Sequence, residues 1–446
     1  MPQVNLGIIG LGTVGSGVYD ALQLNGDLLS SRIGASVRIG RIAVRSIKKV
    51  SPKIPRALLT ENWRELISDP NIQIVAELVG GTVVARDIVL SALKAGKPVI
   101  TANKALLSAH GEELFAAAKK YGTNLYYEAS VCGGIPIIKS LREGFVGNRI
   151  NALYGIVNGT CNYILTRMKL EGADFANVLA DAQRLGYAET PPDLDIDGHD
   201  AAHKIGILAS LAHGFWVNPK QIHVEGIRHI SALDIKFAGE LGYTIKLLGI
   251  VKIAAAADSK NRKSQIANRK CRVQVSVYPT LVPNSHVLAS VNYAFNAVFV
   301  HGDVVGDSLF YGRGAGKDPT ASAVLSDIAD AVLDLKFSNK HRIPPFVPHE
   351  CKGAVLPVAE IVSQYFVRLS VIDQPGTLAK IAAIFGQSKI GISSVIQPEG
   401  HEGESVPLIF MLHDATNGAV DGALKKIGRL PVIKGKPVML RVETFE

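Results

Sequence analysis

Residues 4–15 read Val-Asn-Leu-Gly-Ile-Ile-Gly-Leu-Gly-Thr-Val-Gly, an apolar run that opens into Gly10-x-Gly12-x-x-Gly15. Val4–Ile9 predicts a buried strand, and the residues after Gly12 predict a helix. Glycines at this spacing, between a strand and a helix, are the setting in which a dinucleotide is bound. Gly10 makes the tight turn, Gly12 lets the main chain approach a pyrophosphate, and Gly15 allows helix and strand to close together. Thr13 and Val14 then stand in the first helical turn, whose unpaired N–H groups face the phosphates.

Working outward, the helix is expected to run through Leu22, followed by strands at Val37–Val44 and Ile72–Val79. A helix over Ile88–Ala95, a short strand at Val99–Thr101, a helix to Tyr121 and a strand at Asn124–Glu128 complete the first region. Strands that alternate with helices predict a doubly wound parallel sheet, a Rossmann-type α/β domain over residues 1–130. In such a sheet ligands collect at the carboxyl ends of the strands. Arg45, Glu77–Gly81, Thr101, Lys104 and Glu128 fall at those ends. The second strand would end in an acidic residue to bind a ribose 2′-hydroxyl, but Arg45 stands there with Lys48 and Lys49 close behind. A guanidinium suits a 2′-phosphate, so NADP is favoured over NAD. Lys104 is expected to point toward the nicotinamide half; a helix-starting surface lysine is the plainer alternative.

From residue 131 to 317 the pattern changes to a mixed α+β domain, with long alternating runs at Cys271–Tyr278 and His286–Val300. Asp318–Lys336 predicts an amphipathic helix that returns to the first domain. Residues 338–364 read as a linker, with four prolines between Ser338 and Pro357. Residues 365–446 form a smaller unit: strand Phe366–Val371, turn Asp373–Gly376, helix Thr377–Gly386 and a strand from Ile392.

The 446 residues are 47% hydrophobic and 20% charged, which excludes a disordered chain and suits two or three globular domains. No apolar stretch reaches the ~18 residues of a membrane span. Met1 leads directly into the first strand without a basic leader, so no signal peptide is expected. Four scattered cysteines without CxxC spacing imply a reducing cytoplasm, with neither a disulfide framework nor a zinc site. The net charge of +9 raises the question of nucleic acid. The densest basic run, Lys260–Lys270, has little aromatic interleaving and reads as a solvated hairpin tip instead.

A second stretch carries the chemistry. Leu185–Lys204 reads LGYAETPPDLDIDGHDAAHK and holds Glu189, Asp193, Asp195, Asp197 and Asp200. Asp193-x-Asp195-x-Asp197-Gly198 copies the first half of a calcium loop, but position twelve must be a bidentate glutamate and is Lys204. A plain acidic helix start accounts for Asp197 and Asp200 through the helix dipole, yet leaves Lys204 unexplained. On a helix from Gly198 to Ala212, Lys204 lies four residues after Asp200, on or beside the face that buries itself. A buried amine is costly unless paired, and a lysine beside carboxylates is a candidate proton shuttle.

GLGTVG, Glu77-Leu78-Val79-Gly80-Gly81, TANK (101–104), EASVCGGIPII (128–138), NGTCNYILTRM (158–168) and the LGYAE…DxDxGxDxxxK segment occur in that order. Together they resemble homoserine dehydrogenase along the whole chain. Pro191 before Pro192 departs from the family's usual Asp, Asn or Ser. The resemblance implies interconversion of L-aspartate 4-semialdehyde and L-homoserine with NAD(P), in threonine, methionine and isoleucine biosynthesis. It implies Lys204 as general acid/base, assisted by Lys104, with Asp200 holding the lysine. It implies that Glu189 binds the substrate amino group, helped by Asp195, with Gly159 and Thr160 against the substrate. It further implies a sodium ion on Glu128 and the carbonyls of Val131, Gly133 and Ile135, and approach of the Gly312–Gly316 loop to the cofactor.

Two other readings compete. A phosphorylating semialdehyde dehydrogenase needs an activated cysteine, and Cys132 and Cys161 lie in glycine-rich turns, but neither has a histidine beside it in sequence. A sensor with an inactive core conflicts with the intact Lys104, Glu189, Asp200 and Lys204. The tail, with Asp373-x-Pro-Gly376-x-Leu, resembles an ACT domain, and threonine is the effector the family suggests; Ser393 replaces the usual Asn or Asp at the start of its second strand. A dimerisation module that binds nothing is the alternative for the tail. No kinase-like segment precedes Met1, so a monofunctional enzyme is expected, as a homodimer or homotetramer, with no nucleic-acid or membrane partner.

Overall fold

A computed structural model describes residues 1–254, 271–338, 344–350, 353–398 and 403–445. The basic run Lys260–Lys270 lies outside the described residues. The chain forms two compact units from discontinuous segments. Unit one takes Met1–Gly159, Asp200–Lys220 and Phe295–Gly353; unit two takes Thr160–His199, Gln221–Ala294 and Ala354–Glu446.

In unit one, strands β1 (Gln3–Ile9), β2 (Ser36–Ala43), β3 (Leu59–Thr60), β4 (Ile74–Glu77), β5 (Val99–Thr101) and β6 (Leu125–Tyr126) form a six-stranded sheet. All pairs are parallel, in the order β3-β2-β1-β4-β5-β6. The central strands β4 and β5 are buried throughout, as a parallel sheet covered on both faces requires, whereas β2 alternates and leaves Arg38 and Gly40 exposed. The order reverses between β1 and β4, which opens a crevice beyond their carboxyl ends. Leu6 and Ile8 are completely buried there, in one core with Val18 and Leu22 of the helix Thr13–Ile33. Ala321, Val324, Ile328, Ala331 and Val332 of the helix Lys317–Lys336 complete that core. The two helices approach at Gly17, where a Cβ would stand 2.9 Å from the Lys317 carbonyl oxygen.

Some elements differ from the sequence reading. The first helix continues past Leu22 to Ile33, carried through Gly26 by the packing of Leu29 and Ile33, and stops at Gly34 (φ 65°). The strand expected over Ile72–Val79 is only Ile74–Glu77, because Gly80 and Gly81 turn the chain at positive φ. The segment Asn124–Glu128 is a strand only at Leu125–Tyr126 and passes into a 3-10 turn at Glu128–Ser130. The run His286–Val300 is not one strand: a 3-10 turn spans Val287–Ser290, Tyr293 sits at φ 56°, and the strand starts at Phe295. That strand, Phe295–Gly302, pairs antiparallel with Ile150–Ile156 and with Gly306–Arg313 in unit one.

In unit two, Tyr243–Ile253 and Arg272–Pro283 pair antiparallel. The last strand of the chain, Val438–Val442, joins Arg272–Pro283 in parallel, with Arg441 opposite Thr280. It also pairs with Val362–Ile372, which pairs with Ser405–Thr416, which pairs with Ile392–Ile396. With helices Thr377–Gln387 and Asn417–Ile427, the tail is therefore a βαββαβ unit with lateral strand order 4-1-3-2. Ile381, Phe385, Phe410 and Ile427 close its core. No helix among the described residues is long and apolar enough to cross a membrane.

Candidate active site

The glycine turn follows from sterics. Gly10 sits at φ 100°, and a Cβ there would come within 2.5 Å of the Leu78 carbonyl oxygen. A Cβ on Gly15 would lie 2.1 Å from the Gly10 oxygen, whereas one on Gly12 would meet nothing within 4 Å. The first and third glycines are thus fixed by the protein, and the space beside the second is open for a ligand. Gly12 also begins the Thr13–Ile33 helix without a side-chain cap, which leaves the first-turn N–H groups available to an anion.

A cleft of about 240 Å³ opens beside this turn. Thr13 and Val14 line it together with Lys104, Lys204, Cys132 and the Gly314–Gly316 loop. Gly312 precedes that loop, at the end of the Gly306–Arg313 strand, where a Cβ would stand 3.2 Å from Ile135. Arg45 lies exposed just beyond β2. Thr101 is buried, donates to Glu77 Oε2 at 2.7 Å and accepts from the Asn103 N–H at 3.0 Å.

Two lysines meet on one carboxylate. Asn103 caps the helix Lys104–Lys120 by accepting from the Leu106 N–H, which fixes Lys104 as its first residue. Lys104 Nζ lies 2.7 Å from Asp200 Oδ1. Lys204, one turn after Asp200 on the helix His199–His213, donates to Asp200 Oδ2 at 2.7 Å and to the Val157 carbonyl at 2.6 Å. Asn158 donates to the same Oδ2 at 2.9 Å. Asp200 and Lys204 are 7% and 6% exposed, so both belong to the buried face, as the helical spacing predicts. Burial pushes the Asp200 carboxyl up, but the Lys204 and Lys104 charges outweigh it and hold the group well below the usual carboxylate range. Asp200 is therefore an anion at any working pH, and it aims two amines at one cleft.

Cys132 lies in the same cleft at φ 55°. Burial pushes its thiol up to about 11, against the pull of the nearby Lys204 charge. Cys161 points its sulfur at the Asp195 carbonyl, 3.2 Å away. A nucleophilic cysteine needs a depressed pKa, and Cys132 has the opposite.

Beside the cleft, Glu128 is 4% exposed and accepts from the Ile138 and Lys139 N–H groups at 2.9 and 2.7 Å. Burial raises its carboxyl to about 7, even against those two donors. Its own N–H donates to Asp327 Oδ2 at 2.9 Å, and Asp327 is itself raised well above its ordinary value, first by burial and then by the Glu128 charge. The turn after Glu128 bends through Cys132 and Gly133, both at positive φ, and carries the carbonyls of Val131, Gly133 and Ile135.

Within unit two the acidic stretch is divided among partners. Thr160, at the start of the helix Gly159–Glu171, donates to the Tyr187 carbonyl at 2.6 Å and reaches Asp195 Oδ2 at 3.3 Å. Asp193 and Asp197 both bind Arg228. Asp193 and Asp197 thus share one arginine while Asp195 faces Thr160, and among the described residues no cluster of three or more His, Cys, Asp or Glu side chains is placed to hold a metal ion. Glu189 is exposed, and its carbonyl accepts from Gln183 Nε2 at 3.2 Å. In the tail, Gly376 (φ 85°) begins the helix Thr377–Gln387, the Asp373 carbonyl accepts from the Gly403 N–H at 2.7 Å, and Ser393 lies in the strand Ile392–Ile396.

Sequence reasoning missed Asn158 as the partner of Asp200, although it begins one of the quoted motifs. It also missed Arg228, for which no local pattern gives a signal.

Comparison with known proteins points to one family. Residues 136–329 match the family described as homoserine dehydrogenase, and residues 10–128 match its NAD binding domain. Homoserine dehydrogenase of Neisseria gonorrhoeae is 40% identical over 100% of both chains. That of Pseudomonas aeruginosa is 39% identical over 99% of both. The crystal structure of a homoserine dehydrogenase from Thiobacillus denitrificans superposes with a TM-score of 0.90 at 41% identity, covering 99% of each chain.

Proposed function

The chain belongs to the homoserine dehydrogenase family, oxidoreductases that act on a CH–OH group with NAD(P), and on that premise we propose how its residues divide the work. The substrate pair is L-homoserine and L-aspartate 4-semialdehyde, and the observation that carries the assignment of roles is the Lys104–Asp200–Lys204 arrangement lining the cleft.

The nicotinamide, when bound, supplies or accepts the hydride. Lys204 gives a proton to the carbonyl oxygen during reduction and takes one from the hydroxyl during oxidation. Lys104 adds a second positive charge where oxygen becomes anionic. Asp200 holds both amines in place, and Asn158 orients Asp200. Glu189 receives the substrate ammonium, with Asp195, Gly159 and Thr160 against the rest of the molecule. Gly10, Gly12, Thr13, Val14 and Gly15 would hold the cofactor's phosphates, with Thr101 and Gly312 on the cofactor side.

NADP is the preferred cofactor, supported by the exposed Arg45 at the end of β2. A sodium ion suits Glu128 and the carbonyls of Val131, Gly133 and Ile135, since carboxylate and carbonyl oxygens favour hard cations and this carboxylate is strongly desolvated. The tail is read as an ACT domain through which threonine regulates the enzyme, with Asp373, Gly376 and Ser393 at the effector side; the βαββαβ order supports that reading. The enzyme then serves threonine, methionine and isoleucine synthesis in the cytoplasm, as a homodimer or homotetramer.

The test is homoserine-dependent reduction of NADP and of NAD, each with and without threonine. Reduction faster with NADP, and slowed by threonine, is the expected result. No reduction with either cofactor would overturn the activity.

A further inference from the structure

Unit two contains a segment, residues 223–236, that touches the acidic stretch in its middle and the tail at both flanks. In the middle, the Ile227 N–H donates to the Ile196 carbonyl at 2.8 Å. Gly226 lies so close that a Cβ would stand 2.2 Å from that same oxygen. Arg228 then forks to Asp193 and Asp197, the two carboxylates on either side of Asp195. Hydrogen bonding from its guanidinium lowers the Asp197 carboxyl.

At one flank, Glu225 receives both ends of the Arg441 guanidinium, at 2.8 and 3.0 Å. Arg441, on the last strand, is 1% exposed, stacks 4.1 Å over Tyr278 and also donates to Asn417. At the other flank, Arg368 of the strand Val362–Ile372 binds Asp234 at 2.6 and 3.1 Å. Asp234 is fully buried and closes a capping box with Ser231. Two paired arginines of the tail, one of them buried and neither more than about a fifth exposed, thus hold a segment whose own arginine holds the acidic stretch.

We propose that Arg228 is the positioning residue of the acidic stretch, and that segment 223–236 makes its placement depend on the tail strands that carry Arg441 and Arg368. An exposed ion pair alone typically contributes about 0–1 kcal/mol. Here its effect is on geometry: the fork bridges Asp193 and Asp197 and fixes the turn that presents Asp195 to Thr160. The inference rests on the reading of this stretch as the homoserine site.

The test separates KM from kcat in the full-length enzyme. R228M is expected to raise KM for homoserine about tenfold, leaving KM for NADP within twofold. D193N/D197N is expected to do the same, and the triple variant no more, because all three remove one device. R228K keeps the charge but not the fork, and is expected between wild type and R228M. E225Q, which loosens the Arg441 tie, is expected to raise KM for homoserine about threefold in wild type and not at all in R228M. Unchanged KM for homoserine in R228M, equal effects on both substrates, or multiplicative effects of E225Q and R228M would each overturn the proposal. Melting curves above the assay temperature establish that the variants are folded, and R228K serves if R228M is not. A wild-type enzyme that does not oxidise homoserine would instead refute the underlying assignment.

Discussion

Asp200 and Lys204 lie one helical turn apart and meet at 2.7 Å with both side chains almost fully buried, and Lys104 closes on the other oxygen of the same carboxylate. A single anion thus holds two cations at one cleft. For Lys204→Met, kcat is expected to fall by about 10²–10⁴, the usual worth of a general acid or base. KM for the cofactor should stay within a few fold. Steady-state kinetics in both directions check this, and a near-normal kcat would remove Lys204 from the proton-transfer role.

Replacing the anion has a different signature. Asp200→Asn leaves two amines without the charge between them, and Lys204, unlike the 40% exposed Lys104, is nearly closed to water. Breaking a buried pair by removing one partner typically costs about 3–5 kcal/mol. Both thermal stability and kcat are therefore expected to drop, the first more than in Lys204→Met. Parallel melting curves of the two variants decide it; equal stability would mean that Asp200 does not hold the lysines.

Arg45 makes a separable prediction about the cofactor. It is exposed at the end of β2, where a 2′-phosphate would need a cation. Hydrogen bonds to charged groups are worth about 1.5–3 kcal/mol, so Arg45→Glu should lower the NADP-to-NAD ratio of kcat/KM by roughly 10- to 100-fold. KM for homoserine should not move. An unchanged ratio would place cofactor choice elsewhere.

The parts of this molecule that could be read from sequence are those set by local sterics and periodicity. The glycine spacing announced the turn because Gly10 and Gly15 have no room for a Cβ. Lys204 stood out because a charge fell on the buried helical face. Other features depend on residues far apart in the chain. Thr101 donates to the buried Glu77 on a neighbouring strand, a pairing that only the sheet brings together. Arg228 reaches back to Asp193 and Asp197 only after unit two has folded, so no pattern in the acidic stretch reveals it. The strand expected through Tyr293 breaks there because Asn162 holds the Val291 and Tyr293 carbonyls, at 3.1 and 2.9 Å.

The cysteines provide a test of mechanism. With its thiol raised to about 11, Cys132 is overwhelmingly protonated near neutral pH, and the thiolate is the nucleophile. Cys132→Ala and Cys161→Ala are both expected to keep kcat within about threefold, well short of the 10²-fold or more that loss of an essential group costs. Loss of activity in a folded variant, with trapping of a thioester, would restore the acyl-transfer reading.

Glu128 ties stability to pH, and the proposed sodium ion would act on the same group. Its carboxyl is raised in the folded protein from an ordinary 4.5 to about 7, chiefly by burial. Between those values the folded state binds more protons than the unfolded state, so this group's contribution favours folding at the acid end and is lost as pH rises toward 7. Asp327, also raised by burial and by Glu128, acts in the same direction. A cation on the Glu128 carboxylate would oppose that loss, and it must compete with the proton below about pH 7. Sodium is therefore expected to raise the melting temperature at pH 8 and have little effect at pH 5, measured against choline chloride at equal ionic strength. At 100 times its Kd the gain is about 2.7 kcal/mol. Glu128→Gln, which removes the charge, should abolish the difference between the two salts. The same sodium effect at both pH values, or its persistence in Glu128→Gln, would show that sodium acts somewhere else.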